Sequence, residues 1–103
     1  MDYRIKELAE LSGVSTRTLR YYDQIGLLKP LCKEENGYRL YGPEQVDRLQ
    51  DILFYRQLEL PLEEIKQILD ADGFDRQSSL EKHLSLLEQQ KRQLDRLICT
   101  VQQ

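Results

Sequence analysis

The stretch SGVSTRTLRYYDQIGLLKPLCKEENGYRLY, residues 12–41, decides how this chain is read. Just upstream, Ile5, Leu8, Ala9 and Leu11 recur at helical spacing, so residues 5–11 read as a short amphipathic helix. Gly13 suits the left-handed backbone that ends such a helix. Val14 would plug the corner, and Ser15 is a strong N-cap for a second helix from Thr16 to about Ile25, stopped at Gly26. Two short helices joined by a glycine-containing turn are the signature of a helix-turn-helix. Pro30 then forbids further helix. Asn36-Gly37 is a favoured pair for a tight hairpin turn, and Tyr38, Leu40 and Tyr41 have strand propensity, so a two-stranded wing is expected here.

The chemistry of this stretch points to duplex DNA. On the second helix Arg17, Arg20 and Tyr21 are spaced i, i+3, i+4 and share a face, while Leu19, Tyr22 and Ile25 take the opposite, core-like face. Arginine can pair bidentately with a guanine edge or clamp a phosphate. A tyrosine hydroxyl can donate to a phosphate oxygen. Ser15 and Thr16 lie at the helix N-terminus, where backbone N–H groups and the helix dipole attract phosphate. In the wing, strand alternation puts Arg39 and Tyr41 on one face and Tyr38 and Leu40 on the other, so one tyrosine can belong to the core. Arg39 is expected to reach the sugar-phosphate backbone, with Tyr38 and Tyr41 as further candidates.

Outward from the stretch, Pro43 suits a first helical turn, and Val46, Leu49, Ile52, Leu53 and Phe54 to Leu58 make a helix of about fifteen residues. Pro61 opens another, with Leu62, Ile65, Ile68 and Leu69 on one face. Arg56, near the turn between these two helices, could touch a flanking phosphate or pair with Glu59. Residues 71–76 read as a break. Leu80, Leu84, Leu87, Lys91, Leu94, Ile98 and Val101 then alternate spacings of four and three, a heptad seam held for about three heptads. An intermolecular coiled coil is the favoured reading of that seam, and packing of the helix back on its own domain is the alternative. The chain thus divides into a winged helix-turn-helix domain, residues 1–72, and a coiled-coil dimerisation helix, residues 73–103.

Composition sets bounds on this reading. The 103 residues suit one compact domain with an appendage, and no apolar run approaches the roughly 18 residues of a membrane span. The N-terminus lacks a signal-peptide core, and a cytoplasmic location is expected. The net charge of −3 argues against a nucleic-acid partner until it is mapped along the chain. Residues 1–56 carry nine basic and nine acidic side chains, whereas residues 57–103 carry six against nine. The acidic tail is expected to point away from phosphates.

Cys32 and Cys99 lie far apart without the close ligand pairs of a zinc site, and they read as two reduced thiols with no metal and no cofactor. His83, the only histidine, falls beside the seam with no nucleophile near it in sequence, so catalysis is not expected.

YRIKELAELSGVSTRTLRYYDQIGLLKP, followed by GYRLY and EQVDRLQDILFYRQLELPLEEIKQIL, closely resembles the N-terminal half of the MerR family of transcription regulators. The resemblance covers nearly the whole chain, and RTLRYYD, GYRxY and DxxRLxxI in this spacing are highly specific. The break GFDRQSSL and the following helix are most similar to the Mta and TipA type, the branch responding to multidrug compounds and thiopeptide antibiotics.

The resemblance implies a mainly α fold: a winged helix-turn-helix with a small β-hairpin, then a long helix that dimerises as an antiparallel coiled coil. It implies a homodimer on a pseudo-palindromic operator, distorting promoter DNA so that RNA polymerase can engage it. Family contacts carry over to Arg17, Arg20, Tyr21, Arg39 and Tyr41, and in some members to the position of Tyr22. Metal-sensing members place a cysteine where this chain has Leu80, so metal sensing is not expected. The chain ends within the helix, where drug-responsive members continue into an effector domain; a fragment is the favoured reading and an effectorless regulator the alternative. Two rivals stand beside this reading: a DNA-architectural protein of the excisionase type, and a coiled-coil adaptor whose head binds protein.

Overall fold

The computed structural model describes residues 1–102, which form two compact units, the first Met1–Asp70 and the second beginning at Ala71. In the first unit a short strand β1 (Tyr3–Arg4) leads into α1 (Ile5–Ser12) and α2 (Thr16–Gln24). The hairpin strands β2 (Cys32–Lys33) and β3 (Arg39–Tyr41) follow, then α3 (Pro43–Gln57) and α4 (Leu62–Asp70). The second unit is the break and one long helix, α5 (Arg76–Gln102).

The helix-turn-helix is closed by local chemistry. The Arg4 backbone N–H donates to Glu7 Oε1 at 3.0 Å, satisfying one donor at the start of α1. At its end Gly13 takes φ +77° and its N–H returns to the Ala9 carbonyl at 2.9 Å. A side chain at Gly13 would meet no atom within 4 Å, so glycine is required there by backbone angle and not by space. Ser15 Oγ accepts the Thr18 N–H at 3.1 Å, capping α2 as the sequence predicts. Leu8 and Leu19, one from each helix, are fully buried where α1 and α2 pack together.

The wing differs from expectation in two respects. It has three strands, because β1 adds to the hairpin in the order β1-β3-β2, all antiparallel. Tyr3 faces Tyr41 and Arg4 faces Leu40 on one side of β3, while Cys32 faces Leu40 and Lys33 faces Arg39 on the other. The hairpin turn is also one residue longer than a two-residue Asn-Gly turn. The Gly37 N–H donates to the Glu34 carbonyl at 2.8 Å, and the Glu34 N–H to the Tyr38 carbonyl at 2.7 Å. Three residues therefore lie in the loop, with Gly37 at φ +85°. That is the preferred use of glycine in a three-residue hairpin.

The core of the first unit gathers Leu8, Leu19, Leu27, Leu28, Tyr41, Leu49, Ile52 and Ile65, each essentially inaccessible. Burying such side chains stabilises the fold by roughly 1.5–3 kcal/mol apiece. Leu27 and Leu28 enter it because both of their N–H groups donate to the Tyr22 carbonyl, folding the chain sharply after α2. Arg48 of α3 staples that turn, donating from Nε to the Leu27 carbonyl at 2.7 Å and from Nη2 to Asp70 Oδ1 at 2.8 Å. Burial works to raise the Asp70 pKa, but hydrogen bonds from Arg48 and Lys66 outweigh it and hold the carboxyl below its usual range. α3 runs fifteen residues, as its sequence predicts, and turns into α4 through Glu59, the one non-glycine at positive φ (62°) among the described residues.

In the second unit Asp75 caps α5, accepting from the Gln77 N–H at 3.1 Å and the Ser78 hydroxyl at 2.8 Å. At 1.5 Å per residue the 27-residue helix is about 40 Å long. Of the heptad positions, Leu80 is half-buried and Leu84, Leu87, Lys91, Leu94, Ile98 and Val101 are exposed, with Leu97 exposed beside them. His83 is only 4% exposed, a burial that its flanking heptad position does not foretell.

Candidate nucleic-acid interface

α2 presents one polar face. Arg17, Arg20 and Tyr21 are exposed, Tyr21 by 49%, and neither arginine has an ion-pair partner among the described residues. Two unpaired guanidinium groups one helical turn apart are a ready-made grip for phosphate or a base edge. Ser15 is exposed and Thr16 half-buried at the helix start. Ser15 Oγ, however, is already engaged by the Thr18 N–H and by the Thr18 hydroxyl at 2.9 Å. Its role in this structure is to shape the helix end.

The opposite face is core. Tyr22 is 6% exposed, in line with its place beside Leu19, so its ring is not available to a groove. Burial raises the Tyr22 phenol pKa, and the nearby Arg56 guanidinium opposes the rise. Arg56 itself is exposed and donates from Nη1 to the Leu60 carbonyl at 3.3 Å, instead of pairing with Glu59.

The wing corrects a second tyrosine. Tyr41, expected beside Arg39 on the binding face, is completely buried. β3 ends where Gly42 caps α3, and the ring is covered because α1, β1 and α3 all pack on that strand. Its hydroxyl has no hydrogen-bond partner among the described residues. Desolvation pushes its pKa up, with smaller opposing effects from Arg39 and Arg20 and a reinforcing one from Asp23. Tyr38 is instead the presented ring, 49% exposed, with the Arg4 guanidinium stacked over it 4.6 Å from the centroid. Arg4 also pairs with Glu34 at 3.6 Å, so β1 braces the hairpin tip.

Arg39 projects from β3 toward α2, where its Nε donates to Asp23 Oδ2 at 3.1 Å. Lys33 on β2 approaches the same oxygen at 3.8 Å. Arg39 and Lys33 thus join the α2 group of Arg17, Arg20 and Tyr21 through Asp23, whereas Arg4 and Tyr38 stack together on the opposite sheet face, that of Leu40. Sequence reading missed Arg4, Lys33 and Asp23. Arg4 was hidden in an unforeseen strand, and Asp23 pairs with a residue sixteen positions away, beyond any local pattern.

Both cysteines are free and exposed, and among the described residues no group of three metal-ligating side chains comes together. Among the described residues no helix is long and apolar enough to cross a membrane.

Comparison with known proteins supplies a context for this geometry. The profile of the MerR HTH family regulatory proteins matches residues 3–72, and that of the MerR DNA-binding region matches residues 46–103. The HTH-type transcriptional activator Mta of Bacillus subtilis is 44% identical over 101 residues, covering 98% of this chain and 39% of its own length. The chain therefore spans well under half of the curated relatives it matches first. The crystal structure of the HTH-type regulator SkgA from Caulobacter crescentus superposes with a TM-score of 0.92 at 46% identity, over 98% of this chain and 73% of that one. HiNmlR, a MerR family regulator lacking the sensor domain and solved bound to promoter DNA, superposes at 0.77 with 27% identity, over 99% of this chain and 86% of that one.

Proposed function

Because the chain belongs to the MerR family of helix-turn-helix regulators, we propose that it is the DNA-binding and dimerisation region of a transcription regulator. It binds a pseudo-palindromic promoter operator as a homodimer and acts by distorting the DNA for RNA polymerase. The observation that carries this reading is the pair of exposed, unpaired arginines on α2, Arg17 and Arg20, set beside Tyr21 and flanked by the wing arginine. Tyr38 and Arg56 are accessory phosphate contacts, and the N-terminus of α2 at Ser15 and Thr16 adds its dipole. Tyr22 and Tyr41 support this face from beneath.

The exposed apolar seam of α5, Leu84 through Val101, supplies the second half of the proposal. Contiguous exposed apolar surface of this kind marks an interaction site. A helix of about 40 Å pairing antiparallel with its copy would hold two heads at fixed separation. A two-fold dimer reads a palindrome, and two fixed heads can impose a bend that a single head cannot. A duplex-DNA partner supports the cytoplasmic location expected from the sequence.

The reading is tested with a duplex recovered from a randomised library by selection on the wild-type chain. Arg17→Ala and Arg20→Ala should each weaken binding by about tenfold or more, the loss of a good arginine contact being worth roughly 1–3 kcal/mol. Affinities unchanged in both variants would remove α2 as the recognition element.

A further inference from the structure

We propose that Asp23 is a positioning residue for DNA binding, holding the Arg39 guanidinium by its Nε so that both terminal nitrogens face a phosphate. The inference rests on the DNA-binding reading above and adds a residue that carries the wrong charge for a DNA contact. Asp23 lies one turn beyond Arg20 on α2, and its Oδ2 is 3.1 Å from Arg39 Nε on the central strand of the wing. The pair is mostly buried, with side chains 24% and 16% exposed, so salt screens it less than a surface pair. A guanidinium is planar and its donors are fixed relative to one another. Holding Nε on one carboxylate oxygen therefore sets the direction of the Nη1–Nη2 edge, which donates no hydrogen bond among the described residues.

Lys33 reaches the same oxygen at 3.8 Å, so both strands of the hairpin converge on one carboxylate of the recognition helix. The influence of Arg39, Asp23 and Arg20 on the buried Tyr41 hydroxyl places all four groups in one neighbourhood. Helix and wing are thus joined at the Asp23 carboxylate. An arginine already held loses less rotamer freedom when it meets its ligand, which is preorganisation.

Simple electrostatics predicts the opposite effect for Asp23. A carboxylate near phosphates repels them, so removing it should tighten binding and steepen the salt dependence. If positioning dominates, removal should weaken binding, although the protein becomes more positive.

The experiment uses the selected duplex, fluorescein-labelled, and measures anisotropy at several salt concentrations for wild type, Asp23→Asn, Arg39→Ala and the double variant. Arg39→Ala should bind about tenfold more weakly, with a salt slope shallower by about one. Asp23→Asn should lose about three- to tenfold in the Arg39 background and less than twofold in the Arg39→Ala background, the signature of a coupled pair. Arg39→Lys keeps the charge without the fixed fork, and there too Asp23→Asn should have almost no effect. Asp23→Ser removes the carboxylate a second way, and thermal melts confirm that every variant compared is folded.

Equal or tighter binding by Asp23→Asn, with Arg39→Ala still impaired, overturns the positioning role and leaves the interface intact. An unimpaired Arg39→Ala overturns the wing contact and the positioning role together. Losses from Asp23→Asn that persist undiminished without Arg39 assign Asp23 to folding alone.

Discussion

Replacing Tyr41 by phenylalanine should make this protein more stable and leave its DNA affinity alone. The Tyr41 ring is inaccessible to solvent and its hydroxyl has no hydrogen-bond partner among the described residues. A buried polar group without a partner costs about 1–3 kcal/mol of desolvation, which the substitution recovers. Against this stands the gap left by one oxygen. At about 24 cal/mol per Å3 of cavity, a void of about 10 Å3 costs only ~0.2 kcal/mol. The net gain is then about 1 kcal/mol or more, and for a domain of this size each kcal/mol raises the melting temperature by about 4–8 °C.

A calorimetric or circular-dichroism melt measures it. Alkaline pH gives an independent arm. Burial raises the pKa of Tyr41 above the usual phenol value, so the unfolded chain releases that proton first as pH climbs past about 10. The native state then binds more protons than the unfolded state, and stability falls with rising pH. Tyr41→Phe should flatten that alkaline loss in part, the remainder belonging to Tyr22, whose pKa burial also raises. A variant that melts lower than wild type would mean that the hydroxyl has a partner in solution. A tenfold loss of DNA affinity would return Tyr41 to the interface, and either result refutes the burial argument.

Two other outcomes are expected. Glu59→Gly should stabilise the first unit by about 1 kcal/mol in a denaturant titration, because Glu59 occupies left-handed backbone (φ 62°) that glycine adopts without strain; no gain would mean that the Glu59 side chain makes a compensating contact. Leu87→Asp combined with Leu94→Asp should convert a dimer to a monomer in sedimentation, since both lie exposed on the α5 seam; a wild type that stays monomeric at micromolar concentration would remove the coiled coil.

What the sequence discloses here follows from the range of the interactions involved. Gly13, Ser15 and the apolar spacing of α1 and α2 act within one or two helical turns, so the helix-turn-helix is legible from the short segment that forms it. The exposed face of α2 is equally legible, because Arg17, Arg20 and Tyr21 must share it once Leu19 is buried. β1 escapes notice because two residues have no period, and only their pairing with β3 makes Tyr3–Arg4 a strand. Alternation separates the two faces of β3 without saying what covers each one. Arg39 keeps contact with solvent while Tyr41, two residues on, disappears beneath neighbouring elements.

The place of β1 has a practical consequence for anyone handling this protein. The central strand of the wing is flanked on one side by the third and fourth residues of the chain, and the fourth also supplies the cation stacked on Tyr38. Cloning that trims a few N-terminal codons, or an affinity tag fused without a spacer, would remove or load a structural strand that runs directly into the first helix of the helix-turn-helix. A preparation lacking it could keep a normal helical spectrum from α1 to α5 and still present a wing with an open edge. For this chain, the choice of start site is a choice about the wing.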